Sequence, residues 1–442
     1  MVVIVGGGIS GLSAAYYLSK AGIPATIVEK QPRLGGVIQT ERIDGCLVEG
    51  GPDSFLAAKP WAMDLIRELG LADEVVGSND HLRKTFIRKR GRLVPMPDGV
   101  QFLVPTRIAP LLTTPLLSWR TKARMGLEWF RSPPAAHRPD CSVAAFVKDH
   151  YGQEAVDYLA EPLLAGVYGG APETLSVASV LPRFVEMESK YGSLSKGMLA
   201  ERTPGAAPAQ SIFRTMKGGL GTLVGALAAK ATVIHSEVEA LERVAGGYRL
   251  RVAGDWIAAA AVVLACESHA AARLARAVDP ALTDSLAGIP YNSSTVIAMA
   301  FDPASFLKPL EGFGFLVPRR ERRRLVACTF MGTKFPFRAP SGRVLLRCFV
   351  SGAGEDNSLL PAILEELREM IGLRGDPLFS RVYRWPLSMA QYTVGHQVRV
   401  SEIEVRLRLN QGLHLVGNAY HGIGIPDCVR MGREVAQYIE TK

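Results

Sequence analysis

Six residues near the N-terminus constrain the fold more than any other feature. Gly6-Gly7-Gly8-Ile9-Ser10-Gly11 follows a short apolar run at residues 2–5 and opens a helix-like stretch at residues 9–21. A strand that turns on glycine straight into a helix is the first half of a βαβ unit, and residues 26–29 supply the second strand. Each glycine then has its own task. Gly6 permits the tight turn, Gly8 lets the backbone approach a pyrophosphate, and Gly11 lets the helix pack on the sheet, with the phosphates at the positive end of the helix dipole. A lone glycine fingerprint is weak evidence. Here Glu29 ends the second strand, where a carboxylate can accept the ribose hydroxyls of a dinucleotide.

The fingerprint alone does not separate FAD from NAD. Arg33-Leu34-Gly35-Gly36 comes just after Glu29, and Glu49-Gly50-Gly51-Pro52-Asp53-Ser54 follows one strand later. Paired glycines suit backbone that passes close to a second phosphate and to a flavin. No second GxGxxG follows a strand downstream, so the chain carries one dinucleotide site and no built-in nicotinamide donor. Electrons must leave to oxygen or another acceptor.

At 442 residues the chain is long for one core and should form two or three subdomains. A hydrophobic share of 48% with 21% charged residues excludes a disordered binder. The six cysteines form no CxxC pair, which argues against a disulfide framework or zinc site and fits a reducing compartment. No apolar run approaches the ~18 residues that span a bilayer. The longest, residues 257–266, reads as one buried strand. The first strand starts at residues 1–2, which leaves no room for a signal or transit peptide, so the expected location is cytoplasmic. A net charge of +9 calls for an acidic partner. The arginines at 319–324 are broken by Glu321 and lack interleaved aromatics, so they read as a solvated loop and not a nucleic-acid surface.

Further along, residues 60–76 read as an amphipathic helix ending near Gly70, with a turn at residues 77–80. Residues 132–140 and 198–211 read as exposed loops. Before them, residues 103–131 mix Leu111, Leu112, Trp119, Leu127, Trp129 and Phe130 with Arg107, Arg120, Lys122, Arg124 and Arg131. The plain reading is a pair of amphipathic helices packed on a substrate domain; the sharper one is a surface lying against an anionic membrane. Strands are expected at 231–238, 248–252, 261–265, 295–301, 343–350 and 413–416, with a last helix from Asp427. The expected fold is α/β: a Rossmann-like FAD-binding domain with an inserted mixed-sheet substrate domain and a helical membrane-side subdomain. Its segments are 1–76, 211–290 and 401–442 for the nucleotide, 77–210 for the helical and substrate insertion, and 291–400 for the substrate.

Several runs carry a resemblance that covers nearly the whole chain. They are Gly51-Pro52-Asp53-Ser54-Phe55, Glu161-Pro162-Leu163-Leu164-Ala165-Gly166-Val167-Tyr168-Gly169-Gly170, Gly312-Phe313-Gly314-Phe315-Leu316-Val317-Pro318, the 384–396 segment around Trp385, and Gly422-Ile423-Gly424-Ile425-Pro426-Asp427-Cys428. With these the chain resembles the bacterial porphyrinogen oxidases of haem biosynthesis, FAD enzymes of the amine-oxidase and phytoene-desaturase superfamily with a p-hydroxybenzoate hydroxylase-like fold. The resemblance implies one non-covalent FAD. Gly6, Gly7, Gly8, Ile9, Ser10 and Gly11 would hold the pyrophosphate and Glu29 the adenosine ribose, with Lys30, Arg33 and Gly36 beside them. Val238 would meet adenine. Val37, Gly51, Pro52, Asp53 and Ser54 would line the flavin end, and Trp385, Gly417, Gly424, Ile425 and Pro426 would border the isoalloxazine. Cys428 is not expected to carry a covalent flavin link.

For the substrate, the resemblance implies that Leu316 and Phe349 clamp a pyrrole ring, with Thr329 or Phe330 beside them and Gly166 nearby. Plant relatives carry leucine where Thr329 falls, and plant and animal relatives anchor a propionate with an arginine where this chain has Thr85; Arg83 and Lys84 are adjacent but not equivalent. The implied reaction removes six electrons in three passes through FAD, by hydride transfer from a meso carbon to flavin N5, with oxygen reduced to hydrogen peroxide. His421 is expected to hydrogen-bond and not to act as a base. Protoporphyrinogen IX and coproporphyrinogen III both remain open, the +9 charge leaning to the second. Rival readings are a flavin amine oxidase, a carotenoid desaturase, or a flavin-free escort protein of the same fold. Peripheral membrane contact, hand-over to a downstream haem-pathway enzyme and a homodimer complete the expectations.

Overall fold

The computed structural model describes residues 1–101, 103–136, 138–201, 211–354 and 356–442. The chain divides into two compact units, one of Met1–Ser78, Gln210–Tyr291 and Gln397–Lys442, the other of Asn79–Ala209 and Asn292–His396. The segment ends expected from sequence were 76, 210, 290 and 400.

The first unit is built on a five-stranded parallel sheet in the order Thr232–His235, Ala25–Glu29, Val2–Val5, Ala261–Leu264, Leu413–Leu415. Parallel sheets are covered on both faces, which is why Val2–Val5 and Ala261–Leu264 are apolar and buried throughout. The helix Ile9–Lys20 makes the first crossover. The last helix, Ile425–Glu440, lies against it so closely that a side chain on Gly432 would begin 2.8 Å from the Ser10 carbonyl oxygen.

Several expected elements are redrawn. Residues 257–266 are not one strand: Asp255–Ala259 ends an antiparallel meander with Val238–Val244 and Gly247–Val252, and Ala261–Leu264 enters the parallel sheet. The switch falls at Ala260, whose N–H donates to the Met1 carbonyl at 3.0 Å. An apolar run reads the same whichever sheet receives it, so the break carries no signal of its own. Likewise 231–238 splits into Thr232–His235 and the start of Val238–Val244. A helix forms within the expected 60–76 segment but covers only Trp61–Glu68. Val75–Gly77, which spans the expected end of that segment and the first residue of the expected turn, is a strand paired with Phe213–Met216.

The second unit contains a seven-stranded sheet in the order Phe379–Ala390, Tyr291–Phe301, Val344–Ser351, Leu325–Phe330, Gly314–Leu316, Thr85–Lys89, Arg92–Pro95. Helix Leu359–Ile371 covers one face, and Ile297, Met299, Phe315, Cys328, Phe330, Leu346 and Cys348 pack against its Leu359, Ile363 and Leu367. All six cysteines are free thiols.

The helical part differs in detail from expectation. Residues 103–131 contain the helices Ile108–Thr113 and Trp119–Leu127 and a short turn of helix at Glu128–Phe130. Three of the five basic residues there are bound by other parts of the chain: buried Lys122 donates to the Leu112 carbonyl, exposed Arg124 to those of Lys148 and Asp149, and Arg131 pairs with Asp149. Residues 198–200, expected in a loop, sit in helix Leu194–Ala200; residues 202–210 of that expected loop lie outside the described residues. The arginines at 319–324 lie at the surface as expected, with the side chains of Arg319, Arg320, Arg323 and Arg324 each more than 40% exposed, but they are also ion-paired. Arg320 pairs with Asp157, Arg322 with Glu161, Arg323 with Glu369 and Arg324 with Asp356. Among the described residues no helix is long and apolar enough to cross a membrane.

Candidate active site

In the first unit the glycine turn, Glu29, Cys266 and Gly417 all follow the C-terminal ends of parallel strands, the edge where open α/β sheets take their ligands. Gly6 has φ +108°, and a side chain on it would begin 2.9 Å from the Ala265 carbonyl oxygen. One on Gly11 would begin 2.1 Å from the Gly6 oxygen, so helix and turn touch backbone to backbone. Gly8 is the opposite case: nothing lies within 4 Å of its missing side chain. It caps the helix without a side-chain acceptor, and the first turn holds no acid. The helix start therefore carries no side-chain cap and no acid of its own beside the open space at Gly8, which suits an anion.

Glu29 is fastened beside this space. Its carboxylate accepts the Gly7 N–H at 2.6 Å and the Gln31 N–H at 2.7 Å, while Lys30 is exposed. In the parallel register Glu29 pairs with His235, and Val238, buried at the head of its strand, lies just beyond. Arg33 donates to the Gly36 carbonyl at 2.6 Å and the Ile38 carbonyl at 3.1 Å, so it holds the loop in shape. Val37 stands 38% exposed at that loop, and a side chain on Gly51 would begin 1.8 Å from its carbonyl oxygen, so the two backbones are in contact. Ser54 donates to buried Asp53 at 2.6 Å.

The last helix brings a second positive end to the same edge. Cys428 reaches Ser10 near the start of the first helix, and Arg433, further along, lies 5.7 Å from the Tyr17 ring, so the two helices advance in the same sense. Asp427 secures its start: it accepts the Gly424 N–H at 3.3 Å and the Lys59 ammonium at 2.6 and 2.7 Å. This Lys59–Asp427 clamp escaped sequence reasoning, although an acid at the third helical position is a capping signal. Pro426 sits at the helix start, where a missing N–H costs nothing. Burial pushes the Cys428 thiol up to about 11, which leaves little thiolate for a covalent link. His421 faces Glu404 at 3.0 Å, and its carbonyl accepts from Arg430 at 2.8 Å. An open cradle at a helix N-terminus, a carboxylate beside it and a second helix start along the same edge fit a dinucleotide.

In the second unit the sheet separates the expected substrate residues by face. Phe349, Ala327 and Leu316 form one cross-strand row. Neighbouring strands lie about 4.8 Å apart, so Phe349 and Leu316 stand about 10 Å apart over the methyl of Ala327. The next row on that face is Arg347, Thr329, Gly314 and Thr85. Gly166, in helix Glu161–Tyr168, faces Leu316: a side chain on it would begin 3.6 Å from the leucine, an ordinary van der Waals contact. That helix is held by Glu161, which accepts the Arg319 N–H at 2.9 Å and the Arg322 guanidinium at 2.8 Å. Burial raises the Glu161 carboxyl against the pull of Arg322.

Phe330 is the correction. It is 4% exposed, lies 6.0 Å from the Phe315 ring and belongs to the core under helix Leu359–Ile371, on the opposite face from Thr329. Successive strand residues alternate faces, so of that pair only Thr329 can accompany Leu316 and Phe349. Lys84 reaches the Phe86 ring at 5.1 Å, also away from Thr85. Buried Arg347, 5.1 Å over the Phe349 ring, was missed by sequence reasoning; its signal is the two-residue spacing from Phe349. Trp385 lies on the edge strand Phe379–Ala390.

Comparison with known proteins agrees with this geometry. Residues 9–440 match the family of flavin containing amine oxidoreductases. The chain is 35% identical to a coproporphyrinogen III oxidase of Bacillus subtilis (strain 168), over 98% of this chain and 96% of that one. It is 34% identical to a coproporphyrinogen III oxidase of Propionibacterium freudenreichii, over 99% and 90% of the two chains. A solved structure from Exiguobacterium sp. 255-15 superposes with a TM-score of 0.88 at 32% identity, covering 100% of this chain and 98% of that one. The glycine cradle, the two parallel helix starts and these full-length matches together establish that the chain belongs to the flavin-containing amine oxidoreductase family.

Proposed function

We propose that this chain is an FAD-dependent porphyrinogen oxidase of haem biosynthesis, with coproporphyrinogen III as substrate and oxygen as electron acceptor. The observation that carries the reading is the row of Phe349, Ala327 and Leu316, two bulky walls over a methyl floor, with Thr329 and Thr85 in the next row. That spacing suits a flat ring held edge-on between apolar walls. The coproporphyrinogen III oxidases at 34% and 35% identity support the choice of substrate, as does a net charge of +9 facing a ligand rimmed with propionates.

Bound FAD would supply the two-electron acceptor chemistry. The pyrophosphate would rest on the backbone of residues 6–11, the ribose on Glu29 and adenine by Val238. Val37, the 51–54 turn, Trp385, Gly417 and the 424–426 turn would border the ring system. The chain's own contribution is positioning: Leu316 and Phe349 would hold one pyrrole, exclude water and turn a meso carbon toward the acceptor. Aromatising the macrocycle takes six electrons, hence three such passes.

The test mixes flavin-loaded protein in air with each porphyrinogen and follows porphyrin fluorescence. Faster turnover of coproporphyrinogen III is expected. Faster turnover of protoporphyrinogen IX would transfer the assignment to that substrate. No signal above the autoxidation blank with either, together with peroxide formed from amines, would replace it with amine oxidation. The reading extends to peripheral contact with an anionic membrane, supported by Ile108, Trp119, Leu127 and Phe130, each more than two-thirds exposed, beside exposed Arg107 and Arg120.

A further inference from the structure

The helix His396–Leu409 is apolar on two sides. Val400 and Ile403 are buried, as one face of a surface helix should be. Val398, Val405 and Leu409 are 65%, 51% and 60% exposed and fall on one outer stripe. Beside the stripe, helix Pro280–Ala287 contributes Ala281 and Ser285, whose small side chains leave a groove of about 450 Å³ against Val398, Ser401 and Val405. Two charges on this surface, Glu402 and Arg408, are exposed and make no ion pair among the described residues. Their neighbour Arg406, by contrast, is held by Asp279 at 2.7 Å.

We propose that this face joins two copies of the chain about a two-fold axis through Val405. Glu402 and Arg408 lie at equal distances before and after Val405, as do Ser401 and Leu409. In an antiparallel pairing of the two helices, Glu402 of each copy meets Arg408 of the other. Each Leu409 is laid over the other copy's Ser401 and fills the groove floored by Ala281 and Ser285. Such self-complementarity, in which one residue meets a second and the second meets the first, is what an isologous contact requires. A membrane surface does not account for Glu402 at the centre of the stripe, whereas a second copy neutralises it.

Sedimentation velocity on the flavin-loaded full chain, over a concentration series, should show a reversible dimer. Val405→Arg leaves a monomer that keeps its flavin absorbance, which separates a lost contact from a lost fold. Glu402→Arg and Arg408→Glu each weaken association about tenfold or more, and the doubly reversed chain regains it. Val405→Cys links the copies by a disulfide on mild oxidation, because every native thiol is buried or half-buried. A native chain that stays monomeric at every concentration, a dimer that survives Val405→Arg, or a doubly reversed chain that fails to re-associate overturns the proposal.

Discussion

Gly8 and Gly11 stand one helical turn apart, yet they predict opposite failures. A methyl on Gly11 begins 2.1 Å from the Gly6 carbonyl oxygen, and both partners are backbone, so the turn itself must open. Gly11→Ala is expected to yield colourless protein with a lowered melting temperature even without flavin. Gly8 has φ −69°, ordinary for any residue, and its methyl would meet nothing. Gly8→Ala should melt like the native apoprotein and still bind FAD far more weakly, since the methyl occupies space left for phosphate. Flavin absorbance and thermal unfolding measured on both variants check the pair. Equal flavin content in native and Gly8→Ala protein would mean that the cradle is not where the phosphates lie.

The strands Leu325–Phe330 and Val344–Ser351 work as two-sided elements. One face is core, with Phe330 and Cys328 under a helix; the other carries Thr329, Ala327 and Phe349. Phe330→Ala should therefore cost about 3–5 kcal/mol of stability, as large-to-small core changes do, with turnover per folded molecule nearly unchanged. Phe349→Ala should do the reverse: a modest shift in denaturation midpoint, and a large loss of kcat/KM on the porphyrinogen. Urea melts beside initial rates decide it. If Phe330→Ala loses activity at full stability, the assignment of faces is wrong. The helix at the end of the chain depends in the same way on a contact remote in sequence, since Lys59 lies 368 residues from the Asp427 it holds.

At the scale of the whole molecule, the exposed set Ile108, Trp119, Leu127 and Phe130 is too large to be scattered surface apolarity. Vesicles containing anionic lipid should sediment the chain, uncharged vesicles should sediment less of it, and Trp119→Ser with Phe130→Ser should abolish the effect without loss of flavin. No binding to either vesicle would remove the membrane from the account. The single βαβ fingerprint, the acid at Glu29 and the β alternation downstream were legible because each rests on local chemistry: a turn that only glycine makes, a carboxylate at a strand end, a period of two. By itself the sequence thus determined an α/β nucleotide fold, one FAD site and the chemical class to which the chain belongs. Only the tertiary structure decided that residues 257–266 serve two sheets, that the arginines at 319–324 are paired, and that Thr329 and Phe330 face opposite ways. Which sheet, which carboxylate and which face receive a side chain depend on partners tens to hundreds of residues away, and no local pattern records them.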